Sequence, residues 1–149
     1  MLDAKALSQI IDRYKSAMFT VNRRLNAMMR EEMPADLTLD QFSTIQYIRA
    51  RGQCTSSELA DAFCVGKSSI TAIINRLFDK RLIRRLPDEK DRRVTYLELT
   101  DEGERIAIEL DAKIESLLER YIAHFDEQEA ARFIETYEKL ARVLVQPEE

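Results

Sequence analysis

The residues best able to do chemistry in this chain are the cations between Lys67 and Arg93. This window holds nine lysines and arginines against four carboxylates, although the whole chain carries a net charge of −4. Phosphate binding depends on where positive charge is concentrated, so a basic segment in an acidic chain favours a polyanionic partner. A plain solvated charged surface is the alternative, and the order of the surrounding elements separates the two.

That order is the one found in winged helix-turn-helix domains. Capping residues and apolar spacing predict helices over residues 38–51, 55–63 and 67–80, with a three-residue turn between the last two. Alternating apolar residues over 82–86 and 94–99 flank a polar tip, which predicts a β-hairpin. Such a succession of helices and hairpin places the last helix across the one before it, with one face outward.

The helix that begins at Lys67 has a small, polar outward face. Its predicted inner stripe, which packs on the core, consists of Ile70, Ile73, Ile74, Leu77 and Phe78. Small polar side chains let a helix approach base edges in the major groove, and the positive end of the helix dipole favours a phosphate. The same residue types are also common at helix starts, so a bland exposed helix is the alternative. The predicted reading face consists of Lys67, Ser68, Ser69, Thr71, Ala72, Asn75 and Arg76.

The hairpin tip supplies a second group of cations. Lys90, Arg92 and Arg93 can reach a neighbouring minor groove, whose negative potential attracts arginine. Asp91 lies among them and would repel a polyanion, so we expect it to fix the loop by pairing with Arg85 or Arg93. The tip is therefore predicted to be a second contact with DNA.

These segments resemble the MarR (multiple antibiotic resistance regulator) family of bacterial transcription factors. The resemblance covers essentially the whole chain, and it implies a homodimer joined through interlocking terminal helices. It also implies that Arg93 enters the minor groove and that the helix from Lys67 reads a pseudo-palindromic operator. The matching stretches are Leu59-Ala60, Lys67-Ser68-Ser69-Ile70-Thr71, Asp91-Arg92-Arg93 and Leu97-Glu98-Leu99-Thr100-Asp101-Glu102-Gly103.

Two positions depart from the family pattern. Gly66 stands where the family usually has a Ser, Thr or Asp cap, and glycine is an acceptable N-cap. Arg81 stands where the family usually has a glycine after the reading helix. An arginine would be strained in a left-handed cap, so the sequence leaves the end of this helix open.

The terminal segments carry more apolar residues than one small winged domain can cover. Helical spacing predicts a helix over residues 4–32, another to Phe125 and a last one over 126–145. A symmetric dimer would bury these stripes, and a monomer folded back on itself is the alternative. The predicted organisation is a single domain over residues 1–149, with dimerisation helices over 4–32 and 101–145, a DNA-binding lobe over 38–99 and a wing over 82–99.

Aromatic and methionine residues could line a cleft between the dimerisation helices and the DNA-binding lobe. The family resemblance implies that such a cleft binds a phenolic or other small apolar effector. Side chains of this kind at helical spacing are also typical of a plain core. The candidate ligand residues are Tyr14, Met18, Phe19, Phe42 and Tyr47.

Other functional classes find little support in the sequence. His124 is the only histidine, so no metal site is expected, and Cys54 and Cys64 are expected to be small core residues. Three glycines and the absence of a nucleophile–base arrangement argue against an enzyme, a catalytic residue or a cofactor. No apolar run approaches the roughly 18 residues that span a bilayer, and the N-terminus does not resemble a signal peptide, so a cytoplasmic chain is expected.

The sequence thus predicts a mainly α protein with a small β-hairpin wing. The predicted function is that of a DNA-binding transcriptional regulator. Most simply, the protein is a dimeric repressor that releases its operator when a small molecule binds. A protein-interaction module on a winged-helix scaffold is the alternative. It would have no need for three cations at the hairpin tip.

Overall fold

A computed structural model, which describes residues 1–146, confirms a mainly helical chain with one β-hairpin. Helix α5 ends three residues before the predicted Phe125, because the backbone N–H groups of His124 and Phe125 bond to carbonyls only three residues earlier and tighten the last turn. The elements are α1 (Ala4–Glu32), α2 (Leu39–Arg51), α3 (Ser56–Phe63), α4 (Lys67–Asp79), β1 (Ile83–Pro87), β2 (Thr95–Leu99), α5 (Asp101–Ile122) and α6 (Glu127–Val145).

Side-chain caps fix where these helices begin. At the start of α2, the Gln41 N–H donates to Thr38 Oγ1 over 3.1 Å, and the Thr38 N–H donates to Gln41 Oε1 over 3.3 Å. Thr100 and Asp126 accept in the same way from backbone N–H groups three residues on, at the starts of α5 and α6. Each bond satisfies a donor that the first helical turn leaves unpaired, so these starts were readable from sequence.

The chain divides into two compact units, Met1–Asp111 and Ala112–Glu149. The first contains α1 to α4, the hairpin and the beginning of α5, and most of the buried apolar residues belong to it. In the second, Ile114 and Leu117 are buried and α6 buries no residue. The core residues of the first unit are Leu37, Phe42, Ile45, Ile48, Cys54, Leu59, Ala60, Ile70, Ile74, Leu77, Leu82, Ile83, Leu97, Leu99, Ala107 and Leu110.

The two strands pair antiparallel, with Ile83 opposite Leu99 and Arg85 opposite Leu97. The segment before α3 joins them through one additional bridge. There, the Cys54 N–H donates to the Leu97 carbonyl over 3.1 Å, and the Leu97 N–H donates back to the Cys54 carbonyl over 2.7 Å. These bonds tie the entry of α3 to the hairpin.

The two cysteines have different environments. Cys54 is fully buried as expected, and burial, followed by the nearby Glu58 carboxylate, raises the pKa of its thiol to about 11. The expectation that Cys64 is a core residue is wrong. Cys64 is exposed because it ends α3 in the left-handed conformation, with φ at 54°, and this turns its side chain away from the core.

Gly103, in the first turn of α5, lies against the backbone that connects α4 to β1. A Cβ atom at this position would lie 2.1 Å from the backbone oxygen of Leu82. The same oxygen accepts from the Thr100 N–H over 3.0 Å, and Thr100 Oγ1 donates to the Arg81 carbonyl over 2.7 Å. The first turn of α5 therefore packs directly on the connection between α4 and β1.

Between residues 1 and 146, every helix is too short or too polar to cross a membrane.

Candidate nucleic-acid interface

Helix α4 separates a buried stripe from an exposed polar face. Ile70, Ile74 and Leu77 are buried against the lobe, whereas all seven residues of the predicted reading face are exposed. One prediction for the inner stripe is wrong, because Phe78 is 42% exposed. Its ring lies under the guanidinium of Arg85, 4.5 Å from ring centroid to Cζ, and so packs against the hairpin.

The turn before α4 leaves the N-terminus of that helix open. The Val65 N–H bonds to the Ala60 carbonyl over 3.1 Å, which closes the end of α3. Gly66 is the N-cap of α4 and offers no side chain to the first helical turn. Free backbone N–H groups, the helix dipole and the exposed Lys67 all favour an anion at this end.

Two reading-face side chains already hold partners within the protein. Thr71 Oγ1 donates to the Lys67 carbonyl over 2.7 Å, so its hydroxyl hydrogen is engaged. Asn75 Oδ1 accepts from Arg85 Nη2 over 2.9 Å. The face is therefore partly ordered before any ligand arrives, and Arg85 is a contributor that the sequence assigned only as a possible partner of Asp91.

Arg81 adopts a left-handed backbone conformation, which is strained for arginine, after the end of α4. Helix α4 ends at Asp79, and Arg81 follows with φ at 61°. Its N–H donates to the Phe78 carbonyl over 2.9 Å, and the Leu82 N–H donates to the Leu77 carbonyl over 3.0 Å. This is a Schellman closure, in which glycine would be the unstrained residue.

The cations between Lys67 and Arg93 differ in whether they are bound by other residues of the protein. Lys80 Nζ donates to Gln41 Oε1 over 2.8 Å and to the backbone oxygen of Asp36, so its ammonium secures the start of α2. Arg84 forms an ion pair with Glu98 across the hairpin. Five cations of the window form neither an ion pair nor a side-chain hydrogen bond with any residue between 1 and 146. They are Lys67, Arg76, Arg81, Lys90 and Arg92.

The hairpin tip is held in shape by Asp91, which pairs with Arg93 and not with Arg85. Asp91 Oδ1 accepts from the Arg93 backbone N–H over 3.0 Å and from Arg93 Nε over 3.2 Å. These bonds hold the pKa of Asp91 below its usual value, the side-chain bond first and the backbone bond second. The Arg93 side chain is still 91% exposed, so it is oriented yet available.

The five candidate ligand residues lie in three kinds of environment. Tyr14, Met18 and Phe19 are exposed on α1. Phe42 belongs to the lobe core and is 3% exposed. Tyr47 is half-buried beside Phe63, 6.1 Å between ring centroids.

A separate open notch of about 420 Å³ lies between α2 and α5 and contains none of those five residues. Two polar contacts cross it, from Gln46 Nε2 to Asp111 Oδ1 over 3.2 Å and from Arg49 Nε to Glu104 Oε2 over 3.0 Å. Within residues 1–146, no three His, Cys, Asp or Glu side chains come together in a way that could hold a metal ion.

An exposed polar helix in second position after a three-residue turn, beside a hairpin with a braced arginine, defines a winged helix-turn-helix protein. The MarR family model matches residues 37–95 of the chain. This segment begins just before α2 and ends at the start of β2. It therefore includes the whole of α4 and the hairpin tip.

Relatives and solved structures extend the match to most of the chain. YsmB of Bacillus subtilis (strain 168), an uncharacterized HTH-type transcriptional regulator, is 33% identical over 104 residues, which is 70% of this chain and 71% of YsmB. The HTH-type transcriptional repressor MdtR of the same organism is 29% identical over 139 residues, covering 93% of this chain and 90% of MdtR. A mutant of MarR from E. coli, solved in complex with operator DNA, superposes with a TM-score of 0.74 at 25% identity, over 91% of this chain and 96% of that one.

The chain belongs to the MarR family and is a winged helix-turn-helix transcriptional regulator. The resemblance seen in the sequence is therefore confirmed. The relatives are regulators of transcription, which is the class that the sequence favoured over an enzyme.

Proposed function

We propose that this protein is a homodimeric repressor that binds a pseudo-palindromic operator in the bacterial cytoplasm and releases it when a small molecule binds. The observation that carries the proposal is the division of α4 into a buried apolar stripe and a fully exposed polar face. An amphipathic helix that only completed a core would have no need for small polar residues and a free N-terminus on its outer side.

In this proposal, residues 38–99 form the DNA-binding lobe, which contacts DNA through α4 and through the hairpin tip. The exposed face of α4 reads base edges in the major groove, with Lys67 and the open helix N-terminus on a phosphate. The hairpin tip places Arg93 in the adjacent minor groove. Asp91 supports this role because it orients the guanidinium in advance and so reduces the side-chain entropy lost on binding.

The proposed dimer is supported by apolar side chains that the protomer leaves exposed on its terminal helices. α1 and α6 bury no residue at all, although both are strongly amphipathic. A second copy packed about a two-fold axis would cover these stripes and set the two lobes about 34 Å apart, the spacing of successive major grooves. Besides the candidate ligand residues of α1, the exposed residues are Leu7, Ile10, Ile11, Val21, Tyr121, Ile122, Phe133, Ile134, Tyr137, Val143, Leu144 and Val145.

The proposed effector would act on the separation of the two lobes. A dimer grips both half-sites only over a narrow range of separations, so a ligand that favours another spacing lowers operator affinity. Tyr14, Met18 and Phe19 support an apolar or phenolic ligand because their side chains are accessible in the protomer. Tyr47 is partly accessible, whereas the buried Phe42 would support the cleft from behind.

The wing supplies the direct test of DNA binding. We expect Arg93→Ala to weaken operator binding by about tenfold or more, the cost of one well-placed DNA contact, with the fold intact. Arg105→Ala is the matched control, because Arg105 also pairs with carboxylates but lies on the acidic α5. Operator fragments selected from bacterial genomic DNA, titrated over a salt series, provide the measurement.

Equal operator affinity for Arg93→Ala and the wild type would show that the tip does not contact DNA. Failure of the wild-type protein to prefer any genomic fragment over bulk DNA would contradict the proposed function as a whole.

A further inference from the structure

We propose that Arg85 is a specificity-determining positioning residue, which holds the amide of Asn75 so that only its NH₂ group faces the DNA. This inference rests on the proposed function, because it concerns what the α4 face reads. It adds a residue outside that face to the recognition device. It also specifies the chemistry that the face can accept.

Two contacts fix Arg85 over the second half of α4. Its Nη2 donates to Asn75 Oδ1 over 2.9 Å, and its guanidinium lies 4.5 Å from the centroid of the Phe78 ring. Asn75 and Phe78 are three residues apart and so are neighbours on the helix surface. A planar cation that donates at one edge and stacks on a ring is held in both position and orientation.

The chemistry of arginine decides which way the Asn75 amide points. A guanidinium has only donors, so the amide atom that faces it must be the carbonyl oxygen. Asn75 itself is exposed, and the end of the amide that remains for the groove is the NH₂ donor. One turn earlier, the Thr71 hydroxyl hydrogen is engaged by the Lys67 carbonyl, which leaves a methyl group and acceptor lone pairs there.

This arrangement changes what Asn75 can recognise. A free asparagine reads adenine with two bonds, accepting from N6 and donating to N7. The bond from Arg85 occupies one of the two lone pairs of the Asn75 oxygen and turns that oxygen toward the hairpin and away from adenine N6. The NH₂ group is then the end that faces the groove, which suits guanine O6 and N7 or thymine O4. The exocyclic N4 of cytosine is itself a donor and would be rejected. The proposed preference is therefore for guanine or thymine opposite Asn75, with adenine disfavoured relative to an unheld asparagine.

The test compares base preference among variants of β1. DNA randomised over one half-site is selected with the wild type, with Arg85→Ala and with Arg84→Ala. Arg84 is the adjacent cation on the same strand and pairs with Glu98, away from Asn75, so its loss removes the same charge. We expect Arg85→Ala to shift the preference at one base pair by at least about fivefold toward adenine, and Arg84→Ala to leave the ranking of bases unchanged.

A second variant guards against loss of folding and a cycle tests the coupling. Arg85→Gln can accept as well as donate, so it lets the Asn75 amide turn over while keeping a hydrogen-bonding group in place, and it should also relax the preference. The double variant Asn75→Ala with Arg85→Ala should select the same bases as Asn75→Ala alone, because Arg85 acts through Asn75.

A uniform loss of affinity for all sequences in Arg85→Ala, with a salt slope smaller by about one, would mean that Arg85 contacts a phosphate and would overturn the proposal. Additive effects in the double variant would overturn it as well. Both results are distinguishable from failure of the proposed function, in which the wild type itself would select no sequence.

Discussion

Helices α4 and α6 have similar amphipathic patterns, but only α4 buries its apolar face in the protomer. α4 buries Ile70, Ile74 and Leu77, whereas the apolar face of α6 is open, with Phe133 at 65% exposure and Leu144 at 74%. α1 is like α6 and buries nothing. An amphipathic stripe therefore shows that a helix needs an apolar partner, but it does not show whether the partner is in the same chain.

Charge divides the molecule along similar lines. The basic window lies in the segment that builds its own core, whereas residues 98–149 carry fifteen carboxylates and six lysines or arginines. An acidic surface near DNA would oppose binding, so this acidic segment is not expected to contact DNA. If this division is correct, substitutions in the terminal helices should change the oligomeric state. Substitutions in the segment that builds its own core should change the folding stability.

The largest effect is expected from the terminal helices. Replacing both Phe133 and Tyr137, whose rings stack 5.4 Å apart on α6, with Asp should yield a monomer. Because one lobe alone loses the avidity of two half-sites, operator affinity should fall by about a hundredfold or more. Light scattering coupled to gel filtration and operator titration provide the measurements.

Lys139→Asp is the control for this double variant, since it makes the same change in net charge on an exposed position of α6. It should remain a dimer. If the Phe133 and Tyr137 variant stayed dimeric and bound operator normally, α6 would not be part of the interface. The contrast drawn between α4 and α6 would then be wrong.

A smaller effect on folding is expected where the first turn of α5 packs on the lobe. Gly103→Ala places a methyl group against the Leu82 backbone oxygen, which cannot move without disturbing the turn after α4. Overpacking of this kind should lower the free energy of unfolding by about 1–3 kcal/mol. Urea denaturation followed by circular dichroism measures it.

Gly66→Ser serves as the control for Gly103→Ala, because nothing lies within 4 Å of a Cβ atom at Gly66 and serine is a good N-cap. It should be neutral or slightly stabilising. An unchanged urea midpoint for Gly103→Ala would mean that the start of α5 can shift freely on the lobe.

The smallest effect concerns backbone strain at the end of α4. Arg81→Gly should raise the free energy of unfolding by about 1 kcal/mol, because glycine adopts a positive φ without a steric penalty. Gly52→Ala adds a side chain at a φ of 79° and a ψ of −53°, with open space around it, and should destabilise the lobe by at least as much. Thermal melts of the two variants should move in opposite directions, and a shift in the same direction would contradict the strain argument.

Much of the fold was predictable because its determinants are local. Thr38, Thr100 and Asp126 mark helix starts through bonds to residues three positions away, and such bonds are written in the sequence. Cys64 and Phe78 were misassigned because their exposure depends on packing between elements. An apolar residue type does not reveal a left-handed cap or an arginine lying over a ring.

The site shows the same limit. The exposed polar face of α4 and the position of the tip follow from helical periodicity and from the order of the elements, so the sequence predicted where both lie. The bonding partner of each cation did not follow, because Lys80 bonds to Gln41 and Arg85 to Asn75 at sequence separations of 39 and 10. Partners at such separations meet only after the chain has folded.

By itself, the sequence determined the helices, the hairpin, the concentration of charge and the class of protein, since periodicity, capping and motif spacing act within a few residues. Only the tertiary structure decided which cations remain available, how Arg81 ends α4, why Gly103 must be a glycine and how Asn75 is oriented. Those outcomes depend on atoms brought within bonding distance by packing, and packing depends on the whole lobe at once.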